Sequence, residues 1–364
     1  MDASAQRTPP DARLRRSRTQ RVPTRVARVT SLTHDLREVV LERTTREPVL
    51  QVRAGQFAVL SVAGAVPPRA FSFARAPQDE RPGEFTFLIR LVEGGAFSSW
   101  LAAADRTGAA VELAAPLGRF TLDSGQRPLL CIAGGSGLSA IYALVAHAAH
   151  ARVARDVWLF YGARTQADLA LVNELGGLAA RWHADHRYTF VPVLSAEPAA
   201  SGWSGARGLV TAEVARSAAD GGLDLTACAA YLCGPPPMID AALVLLAGAG
   251  LASEHIRRDV FDDVRSPAPV IDNRRCVLCD ECLLVKPLEH CIVESAGVVR
   301  NDDGTTRAVV PLAPTATSGL YYNSLVIDPA VCIRCHACVD ACPHGAIATT
   351  HDIRVSSLRQ PRAM

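Results

Sequence analysis

The sequence predicts an α/β plus β chain in three parts: an antiparallel β-barrel, a doubly wound parallel sheet and a small α+β unit built around cysteines. Three observations carry this reading. Between about Val22 and Leu122 the chain is a run of strand-length segments broken by turn signals. From Arg127 apolar strand segments alternate with helical ones, the rhythm of a parallel sheet with helices on both faces. Beyond Pro267-Ala268-Pro269, eight of the eleven cysteines fall into two regularly spaced sets.

Residues 1–21 are polar and arginine-rich, with Pro9 and Pro10, and read as a disordered tail. Arg15 and Arg16 within it are either solvated or a contact for an acidic partner. In the barrel, 22–126, the segments 37–42, 57–62 and 85–91 carry β-branched or aromatic residues, and Pro67-Pro68 and Arg81-Pro82-Gly83 separate them. In the parallel-sheet unit, 127–263, strands are expected at 129–133, 157–161, 188–194, 229–233 and 256–260. Helices are expected near 138–147, 167–180, 211–217 and 236–249. Residues 264–271 read as a stiff proline linker, 272–350 as the cysteine unit and 351–364 as a second tail.

Composition excludes several classes. The chain has 364 residues, 49% of them hydrophobic and 20% charged, with net charge +2, which is ordinary for a globular protein. No basic excess points to nucleic acid or an anionic membrane. No apolar run approaches the ~18 residues that a membrane span needs. The N-terminus shows no apolar signal core, so a cytoplasmic protein is expected, which also suits free thiolates. Lys286 is the only lysine; arginine supplies the remaining positive charge.

The cysteines carry the sharpest chemistry. Cys332, Cys335, Cys338 and Cys342, followed by Pro343, read C-x2-C-x2-C-x3-C-P. Cys276, Cys279 and Cys282 repeat the triplet, followed by Cys291. Two-residue gaps let one tight turn present three sulfurs to one cluster, and the fourth cysteine of each run serves the other cluster. Cys276, Cys279 and Cys282 are therefore paired with Cys342, and Cys332, Cys335 and Cys338 with Cys291. Val270-Ile271-Asp272 and Val326-Ile327-Asp328 precede the two triplets at the same spacing, an internal repeat. Over 268–350 the chain resembles bacterial two-[4Fe–4S] ferredoxins. It departs from them in the eight-residue gap before Cys291, in Ile292 where proline is usual, and in the roughly forty residues between the halves. Structural zinc is the alternative, but it has no use for a third cysteine at the same spacing. Disulfides fit this spacing less well.

Six further segments belong together: Arg69-Ala70-Phe71-Ser72, Gly94-Gly95-Ala96-Phe97-Ser98, Pro116-Leu117-Gly118-Arg119-Phe120, Ala133-Gly134-Gly135-Ser136-Gly137, Tyr161-Gly162-Ala163-Arg164-Thr165 and Cys233-Gly234-Pro235-Pro236-Pro237-Met238. Over 22–263 they resemble the ferredoxin–NADP reductase superfamily. The resemblance implies that Arg69 meets a flavin pyrophosphate, Phe71 covers the flavin ring and Ser72 bonds its N5. It implies that Gly94, Gly95 and Ser98 open a phosphate-binding helix, and that Gly118 closes the barrel. It places a dinucleotide on Gly134, Gly135, Ser136 and Gly137, with Arg164 nearby. Cys233, Gly234 and Pro235 would lie beneath the nicotinamide, with the Cys233 sulfur near the reacting carbon. Phe261 would stack on the flavin or pack at the domain junction. The blander readings are a surface arginine for Arg69, an N-cap for Ser98 and a buried small hydrophobe for Cys233. Ala140 replaces the proline usual after the glycine loop. Leu194-Ser195-Ala196-Glu197 lacks the arginine that grips a 2′-phosphate, so NADH is expected over NADPH, although Arg181 or Arg207 could compensate.

The expected function is an electron-transfer reductase, with Ser72 and Cys233 tuning the transfer step. Electrons would pass from NADH to FAD, to two [4Fe–4S] clusters and to a partner protein. The resemblance is to reductase components of multicomponent oxygenases, including the benzoyl-CoA epoxidase type. It implies a terminal oxygenase as partner, a diiron one acting on an aromatic or CoA-thioester substrate. A ferredoxin- or hydrogenase-type module exchanging electrons with NAD(P) is the alternative. An iron–sulfur redox sensor leaves the nucleotide motifs unexplained, and no DNA-binding face is evident.

Overall fold

The computed structural model describes residues 19–47, 49–260, 266–295, 298–300, 306–308 and 324–349. The first part contains β1 (Gln20–Ser31), β2 (Leu36–Arg43), β3 (Phe57–Val62), β4 (Val66–Ser72), β5 (Glu84–Arg90), helix α1 (Ala96–Ala102) and β6 (Ala110–Leu117). The strands pair antiparallel in the order β4-β3-β6-β1-β2-β5. Just beyond β4, Phe73 bridges Phe87 of β5, so the sheet curls until its two edges meet. Alternation drives the curl. Val22, Thr24 and Val26 of β1 turn inward to join Leu41, Leu60, Phe87 and Leu113 in the core, while their neighbours face out. β1 begins at Gln20, inside the stretch read as tail, because Gln20 and Arg21 pair with Ala115 and Ala114 of β6.

The second part runs β7 (Leu129–Gly134), α2 (Leu138–His150), β8 (Val157–Ala163), α3 (Val172–Gly177), β9 (Tyr188–Leu194), β10 (Ala206–Arg207), α4 (Val210–Ala219), β11 (Ala229–Cys233), α5 (Pro236–Gly248) and β12 (Ile256–Asp259). All six strands are parallel, in the order β10-β9-β8-β7-β11-β12. Both faces are buried, as continuous apolar strands require. Leu129 and Cys131 of β7 join the core on the α2 side; Leu130 and Ile132 join Val214 and Leu246 on the other. The helix expected over 167–180 is broken. A 3-10 turn (Gln166–Asp168) is capped by Thr165 and Asp168, Leu171 adopts a left-handed conformation, and the Gly176-Gly177 pair ends α3.

The third part holds β13 (Val270–Ile271), α6 (Glu281–Leu284), β14 (Ile292–Ser295), β15 (Val298–Arg300), β16 (Thr306–Ala308), β17 (Ser324–Ile327), α7 (Ala337–Ala341) and β18 (Ile347–Ala348). β13 pairs with β18, β14 with β17 and β15 with β16, all antiparallel. β13 falls within the stretch read as linker. The repeat in the sequence is a repeat in backbone. The carbonyl of Asp272 accepts from Cys276 N, and that of Asp328 from Cys332 N. Leu278 and Asp280 in one loop, and Arg334 and His336 in the other, have positive φ at matching positions. Such strain in non-glycine residues lets each loop wrap its three sulfurs around a centre.

Candidate functional site

A cleft of about 330 Å³ opens between the first and second sheets. Phe71 and Ser72 reach it from the end of β4, and Arg90 from the end of β5. From the second sheet come Gly134–Gly137 after β7, Cys233–Pro236 after β11 and Asp259 at the end of β12. These are carboxyl ends of parallel strands, at the point where the strand order reverses between β7 and β11. Glycine is required there by space. A Cβ on Gly137 would press on the Cys233 carbonyl and lie 2.6 Å from Gly234 N, and one on Gly134 would lie 2.6 Å from the Met238 sulfur.

Charge inside the cleft is unusual. Ser72 Oγ donates to Asp259 Oδ2 at 3.0 Å. Burial, and then the nearby Asp340 carboxylate, pushes the Asp259 carboxyl up to about 8. Burial and Asp259 likewise push the Cys233 thiol up. Arg90 Nε is buried 3.2 Å from Asp35 Oδ2, yet it is not aligned for a hydrogen bond. Its guanidinium lies against Gly135, where a Cβ would be 3.1 Å from Nη1. A guanidinium with an unsatisfied Nε beside a glycine loop suits a pyrophosphate, so the residues present fit a flavin and a nicotinamide dinucleotide.

Other expected site residues, Phe71 apart, lie outside the cleft lining. Arg69 sits on β4 two residues from Phe71, donates to the Pro68 carbonyl at 2.8 Å and meets no carboxylate among the described residues. The Phe71 ring packs edge-on against Phe97 at 5.0 Å. Gly94 and Gly95 precede α1. Ser98 Oγ accepts from Val92 N at 2.9 Å and donates to the Arg90 carbonyl at 3.2 Å, so it secures the loop that carries Arg90. Gly118, at φ +84°, packs on Phe57. Arg164 is exposed just beyond β8, and its carbonyl accepts from Ala196 N at 2.8 Å. Phe261 lies outside the described residues.

Glu197 follows β9. Its carboxylate is fixed by Gln166 N at 2.7 Å and Gln166 Nε2 at 2.6 Å. Arg207 is committed to the carbonyls of Glu197 at 2.8 Å and Trp203 at 3.1 Å. Arg181 lies 3.6 Å from Asp79.

The cysteines converge in two places. Cys276, Cys279, Cys282 and Cys342 line one cavity with Ile271, Leu325 and Ile347. Cys291, Cys332, Cys335 and Cys338 line another with Ile292, Ile327 and Ile333. Burial and then neighbouring thiols push Cys282 up to about 12; burial is also the main cause for Cys335, again up to about 12. Four crowded thiols in apolar walls ionise only against a multivalent cation, so each set suits an iron–sulfur cluster.

Asp259, Arg90 and Asp340 were not read as site residues from the sequence. Position offers one signal for Asp259, a carboxylate at the carboxyl end of a parallel strand. Arg90 and Asp340 gain meaning only from elements distant in sequence.

The two sheets and their shared cleft are those of a flavin–nicotinamide oxidoreductase. Residues 23–122 match the oxidoreductase FAD-binding domain family, 131–243 the oxidoreductase NAD-binding domain family and 325–348 the 4Fe-4S binding domain family. The chain is 39% identical over 230 residues to the xylene/toluene monooxygenase electron transfer component of Pseudomonas putida, covering 63% of this chain and 62% of that one. It is 35% identical over 254 residues to the propane 2-monooxygenase reductase component of Rhodococcus jostii, covering 68% and 65%. The corresponding component of a Gordonia species is 33% identical, covering 68% and 69%. A solved ferredoxin reductase of carbazole 1,9a-dioxygenase superposes with a TM-score of 0.57 at 30% identity, covering 67% of this chain and 70% of that one. The chain therefore belongs to the ferredoxin–NADP reductase superfamily, with FAD-binding, NAD-binding and iron–sulfur-binding parts. The matched region spans just under two thirds of the first two relatives' lengths. No helix among the described residues is long and apolar enough to cross a membrane.

Proposed function

We propose that the chain is a cytoplasmic, NADH-dependent reductase component that carries FAD and two [4Fe–4S] clusters and supplies electrons to a terminal oxygenase. The partner proposed is a diiron oxygenase acting on an aromatic or CoA-thioester substrate. One observation carries the reading: Ser72 and Cys233, from different sheets, line one cleft with Asp259, and Asp259 also lines a second cavity with Cys335. Relatives described as electron-transfer or reductase components of oxygenases support the choice of partner.

Flavin, when bound, converts two-electron nicotinamide chemistry into the single-electron chemistry of iron–sulfur clusters. The protein's residues position and insulate. Arg69 would neutralise flavin phosphate, and Phe71 and Ser72 would hold the ring. Gly134, Gly135, Ser136 and Gly137 would cradle the nicotinamide dinucleotide, Cys233-Gly234-Pro235 would floor the nicotinamide, and Arg90 would add charge between the two. Gly94, Gly95 and Arg164 would contribute at the cleft's margins, with Gly118 and Ser98 shaping the loops behind them. Ser72 Oγ and Asp259 Oδ2 would hold a proton beside the reacting atoms. Glu197 would accept from the adenosine ribose and repel a 2′-phosphate, which favours NADH.

The test is anaerobic: iron, sulfide and flavin content, with EPR after NADH addition. About eight irons, one FAD and reduced-cluster signals are expected. Flavin with little iron, or zinc in its place, would leave a simple flavin reductase.

A further inference from the structure

The two cysteine cavities differ in where they sit. The Cys291, Cys332, Cys335 and Cys338 cavity abuts the rest of the molecule. Cys335 and Ala337 share an apolar cluster with Phe57, Val59 and Leu117 of the first sheet, and Val285 packs against it. Cys335 and His336 line a cavity with Arg258 and Asp259, and Asp259 opens onto the flavin–nicotinamide cleft. Hydrogen bonds fasten this side. Arg334 donates through Nε to the carbonyl of Ser266, in the stretch read as linker, at 2.9 Å. Arg21 of β1 donates to the Pro287 carbonyl at 3.2 Å, and Pro287 lines the same cysteine cavity.

The Cys276, Cys279, Cys282 and Cys342 cavity touches neither of the first two sheets; all its described lining residues come from the third part. Val277 in its loop is 60% exposed, and Arg274 and Pro343 beside it are also exposed. Between the two cavities, α6 with Cys282 packs on α7 with Cys338.

Resting on the reductase reading above, we infer that electrons enter the iron–sulfur unit at the Cys291–Cys332–Cys335–Cys338 site and leave from the Cys276–Cys279–Cys282–Cys342 site. Tunnelling weakens steeply with distance, so the site buried against the flavin cleft receives and the solvent-facing site delivers. The same placement gives the long Cys282–Cys291 gap a task. Its Val285 and Pro287 brace the inner site against the barrel, which a three-residue gap could not do.

The test uses the full chain, loaded anaerobically with FAD, iron and sulfide. EPR spectra of NADH-reduced samples are compared with dithionite-reduced samples of the same preparation, alongside iron content. Cys279→Ser should keep an inner cluster that NADH reduces. Cys332→Ser should keep an outer cluster that dithionite reduces, with loss of its reduction by NADH. Ala337→Asp, at the contact with the barrel, should lose reduction of both clusters by NADH with iron content kept; Arg274→Glu, on the outer face, should behave as wild type. Reduction of the outer cluster by NADH in Cys332→Ser would overturn the order. So would a loss in Arg274→Glu together with normal reduction in Ala337→Asp, the pair that decides if the ligand variants hold no iron. A wild-type chain whose clusters respond to dithionite and never to NADH would overturn the reductase reading as well, before any variant is made.

Discussion

At the scale of single residues, the Ser72–Asp259 hydrogen bond is a buried polar contact in the cleft, and it carries the proposed chemistry. Ser72→Ala should slow flavin reduction by NADH roughly hundredfold, as loss of one well-placed hydrogen-bonding group does. Stopped-flow bleaching of the flavin reads this, and an unchanged rate at full flavin content would remove Ser72 from the reaction. Asp259 predicts a pH effect with a definite sign. Its folded-state value, about 8, lies above its ordinary value of 3.8. The folded state therefore keeps a proton that the unfolded chain releases. This contribution to stability is full below the lower value and is lost as pH rises to the upper one. Asp259→Asn removes it, so the Tm of the variant relative to wild type should rise between pH 5 and pH 8. A pH-independent difference would show that Asp259 holds no such proton. The sequence displayed Ser72, because its motif is contiguous. It did not display Asp259, 187 positions away, because a buried carboxylate is recognised by what surrounds it.

At the scale of elements, loops at strand ends carry the residues proposed to set nicotinamide specificity and cluster content. Glu197, next to Ala196, is locked by the first turn after β8 through Gln166. Ala196→Arg should shift the NADPH-to-NADH ratio of kcat/KM by about tenfold, equal to ~1.4 kcal/mol. An unmoved ratio would place discrimination elsewhere. The long loop before Cys291 makes a second prediction. Cys291→Ser should lose about four of about eight irons; unchanged iron would exclude Cys291 as a ligand. Strands were legible in the sequence where apolar runs were bounded by turn residues, as at Tyr188–Leu194. The helix read over 167–180 was not, because Leu171 and the Gly176-Gly177 pair interrupt a segment whose composition still looks helical.

At the scale of the whole molecule, the first sheet closes over one core and the second has a core on each face, with Leu36, Ala74 and Leu88 of the first part joining the one on the α2 side. In the cysteine unit Ile271, Ile292, Leu325, Ile327 and Ile347 pack with the cysteines. Chelation of iron should abolish NADH-driven cytochrome c reduction while NADH–ferricyanide activity persists. Loss of both together would mean that the flavin part depends on the clusters for its fold. By itself, the sequence determined the alternation of strands and helices, the glycine loops at strand ends and which cysteines line one cavity together. Those features rest on local spacing: two residues between sulfurs, glycines after a strand, apolar alternation along it. Tertiary structure alone decided that Ser72 meets Asp259, that Arg90 faces the glycine loop, and which cysteine cavity lies against the flavin side. Such contacts join residues from separate sheets, and burial created by the fold, not any local pattern, gives their charges and thiols their chemistry.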